Sequence, residues 1–215
     1  MTLDAEKRLA AEAAAELVED GMLVGLGTGS TVGYVLPALA RRGLRLRCVA
    51  TSPATESAAR ELGLAVESFS GLDAAARLDV AIDGADQAAE DGWLVKGGGA
   101  AHTREKAVAA AADRFVVVVD SSKLVERVAP PVPLELSAFG LAATLGRLGT
   151  VTLRDAVRSP DGGIIGDFTG SFDDARELAD RLSAEPGVVE HGLFPPELVS
   201  DVVVARGDAV EVRTR

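Results

Sequence analysis

Short apolar runs alternate with segments of helical periodicity along the first half of this 215-residue chain, and that alternation restricts the fold more than any other feature. The runs are rich in Val, Leu and Ile, which is typical of buried strands. Because strands that alternate with helices form a parallel sheet covered on both faces, we predict a Rossmann-like α/β domain. The predicted strands are 22–26, 46–50, 78–82 and 115–119, with a short one at 93–96. The predicted helices are 4–19, 32–42, one that opens at Ser52-Pro53 and is closed by Gly63, and 101–112.

The pattern changes after the proline-rich stretch at 130–133. Beyond it the predicted order is strand, helix, strand, strand, helix, strand, which is that of a ferredoxin-like α+β unit. These elements are predicted at 134–136, 139–148, 151–157, 164–168, 173–184 and 188–192, and two last strands, 201–205 and 209–213, return to the first domain. We therefore predict a Rossmann-like domain from 1–129 with 201–215, and a smaller ferredoxin-like domain at 130–200.

Composition excludes several classes of function. The formal net charge is −11, which argues against a nucleic-acid or anionic-membrane partner. The single cysteine, Cys48, cannot form an internal disulfide and suits a reducing cytoplasm, and we expect it to be buried in a strand. With only His102 and His191 besides, we expect no zinc-type cluster and no metal site. The N-terminal residues lack the pattern of a signal peptide, and no apolar run approaches the ~20 residues of a membrane span.

A glycine-rich turn follows the first predicted strand, with the sequence Gly25-Leu-Gly-Thr-Gly-Ser-Thr31. A strand, a glycine-rich turn and a helix start form an anion site, because backbone N–H groups and the helix dipole both face the turn. A dinucleotide fingerprint fails, since Ser30 or Val32 stands where its last glycine belongs, and a P-loop fails because no Gly-Lys pair is present. We predict a site for one phosphate of a small molecule at Thr28, Gly29, Ser30 and Thr31; the alternative is a tight turn with a serine cap.

Two carboxylates, Asp83 and Asp86, follow the third predicted strand in the segment Asp83-Gly-Ala-Asp-Gln87. A turn at this place lets both side chains enter one cleft, where they could abstract or relay protons from sugar hydroxyls. The alternative is an ordinary turn, for which Asp-Gly is a common dipeptide.

Three consecutive glycines follow Lys96 in the segment Lys96-Gly-Gly-Gly-Ala-Ala-His-Thr-Arg-Glu-Lys106. Glycines cost conformational entropy to order, so three in succession indicate close approach of the backbone to a ligand. Lys96 could stabilise a developing oxyanion, and Glu105, near a helix start, could remain ionised as a general base. The alternative for Glu105 is a solvated first-turn acid, and His102 is expected at the surface or as a cap. Lys123, after the strand at 115–119, could pair with phosphate.

These segments together resemble the ribose-5-phosphate isomerase type A family, in the family's order and spacing. The resemblance spans essentially the whole chain and continues weakly through Pro133-Leu-Glu135, Pro186-Gly-Val-Val189 and Gly192-Leu-Phe194. It implies an aldose–ketose isomerase of the pentose phosphate pathway that interconverts D-ribose 5-phosphate and D-ribulose 5-phosphate through an enediolate, without a cofactor, as a homodimer or homotetramer.

The resemblance also implies roles for individual residues. Glu105 matches the catalytic base, Asp83 and Asp86 match carboxylates that hold sugar hydroxyls and help to open the ring, and Lys96 matches the charge that stabilises the enediolate. The implied substrate-binding set is Thr28, Gly29, Ser30, Thr31, Asp83, Gly84, Ala85, Asp86, Lys96, Gly97, Gly98, Gly99 and Lys123, with Ser30 and Thr31 taking the phosphate.

Two positions depart from the family pattern. Gln87 stands where the family usually has glutamate, which removes a charge beside Asp86, and the stretch 159–167 matches the family's turn only loosely.

Two functions from other classes remain as alternatives: a non-catalytic sugar-phosphate sensor, and an acyl-CoA transferase that uses a carboxylate nucleophile on a related sheet. Conversion of ribose 5-phosphate distinguishes them from an isomerase.

Overall fold

The structure is a computed structural model that describes residues 2–71, 75 and 77–214. Its chain divides into two compact units, one formed by Met1–Ala85, Arg104–Leu124 and Glu197–Arg215, the other by Asp86–Thr103 and Val125–Pro196. The second unit therefore contains Asp86–Thr103, a segment that the predicted domain ranges place in the first domain.

The helices and strands follow the predicted alternation closely. The helices are α1 (Leu3–Ala15), α2 (Val32–Arg41), α3 (Pro53–Glu61), α4 (His102–Ala111), α5 (Leu141–Leu148) and α6 (Ala175–Ser183), with short 3₁₀ helices at Ser121–Lys123 and Pro196–Leu198. The strands are β1 (Leu23–Leu26), β2 (Arg47–Ala50), β3 (Ala65–Val66), β4 (Val80–Asp83), β5 (Gln87–Ala89), β6 (Leu94–Val95), β7 (Phe115–Asp120), β8 (Leu124–Val125), β9 (Val132–Leu136), β10 (Val151–Arg158), β11 (Ile164–Phe168), β12 (Val188–His191), β13 (Leu193–Phe194), β14 (Asp201–Arg206) and β15 (Ala209–Thr214).

The first unit is built on a sheet of order β15-β14-β7-β4-β1-β2-β3 within the described residues. Its neighbouring strands are parallel except β14 and β15, which pair antiparallel. Strands β2 and β3 extend the sheet on one side of β1, and β4, β7 and β14 extend it on the other. The strand order thus reverses between β1 and β4, which is the place where open α/β sheets bind ligands. The predicted Rossmann-like class is confirmed.

Strand β1 lies inside this sheet, between β2 and β4, and is buried along its whole length. Val24 and Leu26 share an apolar core with Val35 and Leu39 of α2. Gly25 points the other way, and a Cβ there would lie 2.5 Å from Val108 of α4. The glycine therefore lets α4 pack close against this strand of the sheet.

Helix α1 ends at Ala15 rather than at the predicted residue 19. The guanidinium of Arg42 donates hydrogen bonds to the carbonyls of Ala15 and Val18. Carbonyls at and just beyond a helix end lack the partners of the helix interior, and this arginine supplies donors to one at the end of α1 and to one beyond it. The helical periodicity of the sequence does not reveal such a tertiary cap.

The second unit contains an antiparallel sheet of order β10-β11-β9-β12 within the described residues. With α5 between β9 and β10 and α6 between β11 and β12, it has the predicted strand-helix-strand-strand-helix-strand order. A smaller sheet, in which β6 pairs with β5 and β13, was not predicted. Its strands contain only two or three residues, too few for a period-two pattern to emerge.

Candidate active site

The glycine-rich turn between β1 and α2 is fixed by the carboxylate of Asp83. The Thr28 N–H donates a hydrogen bond of 3.0 Å to Asp83 Oδ1. A Cβ at Gly27 would lie 1.9 Å from the Asp83 carboxyl carbon, so only glycine fits under this carboxylate. The requirement for glycine at this position therefore follows from packing against an acid from the neighbouring strand β4.

Threonine hydroxyls fix the same turn from its other side. Thr28 Oγ1 lies 2.8 Å from Thr51 Oγ1, and the Thr55 hydroxyl donates to the carbonyl of Gly27 at 2.9 Å. Ser30 is exposed, and Thr31 makes no side-chain capping bond at the start of α2. The backbone of the turn is therefore held by other residues, and the serine cap weighed as an alternative is not formed.

Asp83 ends β4 and is almost fully buried, with 3 % of its surface exposed. Besides Thr28, its Oδ1 accepts a hydrogen bond of 2.7 Å from the Gly84 N–H. A Cβ at Gly84 would lie 3.8 Å from Thr31 Cβ, so the turn after β4 and the turn before α2 are neighbours. The first unit therefore brings together two segments that the sequence predicts to bind substrate.

Glu105 lies in the first turn of α4 and exposes only 3 % of its surface. The alternative of a solvated first-turn acid is therefore wrong. The positive end of the helix dipole faces side chains in this turn, a placement that suits an acidic residue. The sequence predicts the helix start, but only the fold buries the side chain.

Lys123 ends the 3₁₀ helix that follows β7 and is half-buried. That turn is held by Glu6 of α1, a role that was not predicted from the sequence. Glu6 is 6 % exposed and accepts hydrogen bonds from the Ser121 N–H (3.0 Å), the Ser121 hydroxyl (2.6 Å) and the Gly207 N–H (2.7 Å). These bonds, the Ser121 hydroxyl first, lower the pKa of Glu6 from 4.5 to about 2. A glutamate in an amphipathic helix gives no sequence signal for this role.

We expect Glu6 to make the stability of the fold depend on pH in the acid range. A carboxylate whose pKa is lower in the folded chain stabilises it above the unfolded value of 4.5, and that contribution is lost as the pH falls toward about 2. Glu6→Gln should lower the thermal midpoint at pH 7 by about 2–6 °C, because it breaks buried hydrogen bonds, and should flatten its decline below pH 4.5. Thermal unfolding followed by circular dichroism from pH 2.5 to 7 measures both effects.

The matched control is Glu12→Gln on the same helix, where the carboxylate pairs with Arg41 at the surface. The thermal midpoint of Glu12→Gln should change little, because ion pairs exposed to solvent contribute little to the free energy of unfolding. A Glu6→Gln profile that runs parallel to that of the unsubstituted protein would contradict the expectation.

In the second unit, Lys96 directly follows β6 and is 2 % exposed. Its ammonium nitrogen lies 5.4 Å from the centroid of the Phe194 ring. An aromatic face attracts a cation, so the ring accommodates the buried charge. The Lys96 N–H donates to the Gly192 carbonyl at 2.8 Å, and a Cβ at Gly192 would lie 2.1 Å from the Lys96 carbonyl oxygen. The backbone and the charge of Lys96 are therefore both fixed by the segment around β13.

The triple-glycine segment of the second unit bends tightly around Asp86. Gly97 has φ of +106°, and a Cβ there would lie 2.6 Å from His102 Nδ1. The Gly98 N–H donates a hydrogen bond of 2.7 Å to Asp86 Oδ2, and a Cβ at Gly98 would lie 2.7 Å from Asp86 Oδ1. Gly98 and Gly99 are exposed. The glycines therefore bring the backbone against a carboxylate and leave the outer part of the segment accessible.

Gln87, the departure from the family pattern, has a defined place in the second unit. Its amide nitrogen donates to the Ala129 carbonyl and its amide oxygen accepts from the Ala129 N–H, both at 2.8 Å. A glutamate could only accept here, whereas the amide does both. The substitution thus adds a bond to the backbone rather than leaving a gap.

The structure corrects the expectation for one residue, His102, and adds a buried acid that was not predicted, Glu135. His102 is fully buried, so the expectation of a surface or capping position is wrong; Gly97, which has no side chain, leaves room for its ring. Glu135 of β9 was not singled out, yet it is buried and accepts hydrogen bonds from the hydroxyls of Thr103 and Ser159. Ser159 opens the loosely matching stretch 159–167, so that stretch contributes to the packing of β9.

The predicted site residues are thus distributed over both units. The first unit contains Thr28, Gly29, Ser30, Thr31, Asp83, Gly84, Ala85, Glu105 and Lys123, and the second contains Asp86, Lys96, Gly97, Gly98 and Gly99. Within units, the structure joins Thr28 to Asp83, and Asp86 to Gly98.

Among the described residues, no group of three or more His, Cys, Asp or Glu side chains could hold a metal ion. No helix in the described part of the chain has the length and hydropathy of a membrane span. Cys48 is buried, as predicted, and burial raises the pKa of its thiol to about 11.

Buried acids and a buried lysine at the ends of strands in an α/β fold are features of an enzyme rather than of a structural module. Comparison with known proteins gives the family. The model of the family described as ribose 5-phosphate isomerase A (phosphoriboisomerase A) matches residues 47–209. The chain belongs to the ribose 5-phosphate isomerase A family.

Individual relatives agree over nearly their full length. The ribose-5-phosphate isomerase A of Halobacterium salinarum is 48 % identical, over 97 % of this chain and 95 % of its own. The structure of ribose 5-phosphate isomerase A from Methanocaldococcus jannaschii superimposes with a TM-score of 0.92 at 32 % identity and covers all of both chains. A D-ribose-5-phosphate isomerase in complex with phospho-erythronic acid has a TM-score of 0.93 at 33 % identity, again over both complete chains.

Proposed function

We propose that this chain, an isomerase by its family, interconverts D-ribose 5-phosphate and D-ribulose 5-phosphate with Glu105 as the general base. The observation that carries the proposal is the burial of the Glu105 carboxylate in the first turn of α4, with 3 % of the residue exposed. A carboxylate shielded from water at a helix start is well placed for a general base, and Glu105 holds the position in the segment 96–106 that the family resemblance gives to the base. The pentose phosphate pathway follows from the family.

The proposed reaction moves one proton between two carbons. In the open-chain aldose, the Glu105 carboxylate takes the proton from C2, the electrons of that bond form a C1–C2 double bond, and the aldehyde oxygen gains the negative charge. The resulting enediolate receives the proton back at C1 while the proton on the C2 hydroxyl moves to the C1 oxygen. The ketose forms without net oxidation or reduction, so the proposal needs no cofactor and no metal.

Lys96 and the two aspartates have supporting roles in the proposal. The buried Lys96 ammonium stabilises the negative charge that develops on oxygen, which in a site shielded from water lowers the barrier more than in solution. Asp83 and Asp86 hold sugar hydroxyls and assist ring opening. Both carboxylates already accept backbone N–H bonds, and these keep their orientation fixed before substrate binds.

The phosphate is proposed to bind at Thr28, Gly29, Ser30 and Thr31, with Lys123 as a cationic partner. The anchored turn stands before α2, whose N-terminal N–H groups and dipole favour an anion. This local field allows a chain with a net charge of −11 to bind an anionic substrate. The phospho-erythronic acid in one solved relative is a phosphorylated sugar acid, which supports a ligand of the same chemical class here.

Incubation of the purified chain with ribose 5-phosphate tests the function. We expect ribulose 5-phosphate to appear in the presence of a chelator such as EDTA, and unphosphorylated ribose to react far more slowly because the phosphate positions the reacting carbons. Production of the ketose is followed by its absorbance or by NMR.

Each alternative gives a different result in this experiment. A sugar-phosphate sensor would bind ribose 5-phosphate, measured by calorimetry, without converting it. An acyl-CoA transferase would show neither binding nor conversion, and would instead exchange CoA between acyl donors. Either outcome would overturn the proposed function.

We also propose a cytoplasmic location and a homodimeric or homotetrameric assembly. The location is supported by the single buried thiol of Cys48, which needs no oxidising compartment. The assembly is supported by the edge strand β15, which exposes Val210 and Val212 on one face, at 39 % and 47 %. Sedimentation of the purified chain measures its assembly.

A further inference from the structure

Arg154 of β10 contacts the triple-glycine segment, although the reaction assigns it no role. Its Nη1 donates hydrogen bonds to the carbonyls of Gly97 (3.0 Å) and Gly98 (3.2 Å). Its Nε and Nη2 donate to the two carboxylate oxygens of Asp167 on the neighbouring strand β11, at 2.8 and 2.7 Å. One guanidinium therefore joins a rigid sheet to the glycine segment.

The bidentate pair with Asp167 fixes the plane of the guanidinium. Two parallel N–H···O bonds allow only one orientation of the arginine head group, and the side chains are only 21 % and 19 % exposed. The hydrogen bonds to Asp167, with a further contribution from the negative charge of Asp86, raise the pKa of Arg154. Nη1 is consequently held at one place, aimed at the glycine carbonyls.

These bonds determine which way two peptide planes face. In a trans peptide the C=O and the following N–H point in opposite directions. The Gly97 carbonyl faces Arg154, and accordingly the Gly98 N–H points away, to Asp86 Oδ2 at 2.7 Å. The Gly98 carbonyl also faces Arg154, so the Gly99 N–H points away from it as well. Without Arg154, glycine residues would permit these planes to rotate.

We propose that Arg154 is a positioning residue of the isomerase, which holds the Gly97–Gly98 and Gly98–Gly99 peptide planes so that the Gly99 N–H faces an oxygen of the bound sugar. The inference rests on the proposed function, since Gly97, Gly98 and Gly99 belong to its substrate-binding set. Through Gly98, the same planes also hold the Asp86 carboxylate in place. Arg154 itself does not touch the substrate.

Steady-state kinetics of the full chain with ribose 5-phosphate test the inference through Arg154→Met. A displacement of substrate-positioning groups by about 1 Å can cost about 100-fold, so we expect kcat to fall about 10- to 100-fold, with a smaller change in KM. The kcat of Arg154→Lys should lie between those of the unsubstituted chain and Arg154→Met. An ammonium keeps the charge but cannot bond to both oxygens of Asp167 and to both carbonyls at once. Free guanidinium at low millimolar concentration should restore part of the turnover of Arg154→Met.

Arg147→Met is the matched control. Arg147 also forms an arginine–carboxylate pair in the second unit, with Glu185, but it does not contact the glycine segment. We expect it to retain kcat within about twofold, and guanidinium to leave its turnover unchanged. A purely structural role of Arg154 would lower the unfolding temperature without guanidinium rescue of kcat.

Each result decides the inference. If the unsubstituted chain converts ribose 5-phosphate while Arg154→Met retains the kcat of Arg147→Met, the positioning role is overturned and the proposed function stands. If the unsubstituted chain is inactive, the proposed function itself fails. Should Arg154→Met not fold, Asp167→Asn replaces it, since it keeps the shape of the pair and removes its charge. A kcat of Asp167→Asn equal to that of the control would equally overturn the inference.

Discussion

Glu105→Gln is expected to lower kcat for ribose 5-phosphate by about 100- to 10,000-fold, which is the range that a general base contributes. The amide keeps the size of the side chain but cannot accept the proton from C2. Because the role proposed for Glu105 is in the transition state, KM and the affinity for ribose 5-phosphate should change little. Coupled steady-state assays and calorimetry measure the two quantities, and exchange of the C2 proton with deuterated solvent reports the abstraction step directly.

The matched control for this variant is Glu56→Gln. Glu56 also lies in the first turn of a helix of the first unit, α3, but at the surface, where it pairs with Arg60. It should retain full activity. Glu105→Asp keeps a carboxylate one methylene further back and should be impaired less than the glutamine variant. Near-normal turnover in a folded Glu105→Gln protein would exclude Glu105 as the base.

Lys96→Met is expected to lower kcat by about 100- to 1,000-fold, the usual cost of removing one group that stabilises an oxyanion. Methionine fills the space along the Phe194 ring without the charge, so the second unit should still fold. Steady-state kinetics with ribose 5-phosphate give the effect, and thermal unfolding verifies the fold.

Arg176→Met is the control for this variant, because it also removes a cation above an aromatic ring of the second unit. The Arg176 guanidinium carbon lies 5.0 Å from the centroid of the Trp93 ring, and no role in the reaction is assigned to it. Its kcat should stay close to that of the unsubstituted chain. If the two variants lost activity equally, the effect of Lys96 would be one of packing rather than of charge at the reacting oxygen.

Long elements with a clear period were predictable from the sequence. The strand at 115–119 is observed as Phe115–Asp120 and the strand at 164–168 as Ile164–Phe168, because their β-branched and apolar residues leave few other conformations. The short strands Ala65–Val66 and Gln87–Ala89 were missed, since neighbouring strands rather than their own residues make them extended. The residues of the candidate site were predictable where glycine marks a turn beside a charged residue.

The residues that hold the site in place were not predictable in this way. Glu6 and Arg154 lie in ordinary helical and strand patterns, and their partners Gly207 and Gly97 are far away along the chain. A carboxylate in a helix and an arginine in an exposed strand are usually solvated, so neither stands out. Their roles can be recognised only in the folded chain, where the Gly207 N–H and the Gly97 carbonyl lie within hydrogen-bond distance of them.

The sequence by itself determined the order of the helices and of the longer strands, and the kinds of side chain that follow those strands, because periodicity and glycine act over a few residues. Only the tertiary structure decided that Glu105 and Lys96 are buried and that Arg154 faces two glycine carbonyls. Burial and hydrogen bonding join residues that are distant along the chain, and both depend on which strands become neighbours in the sheets.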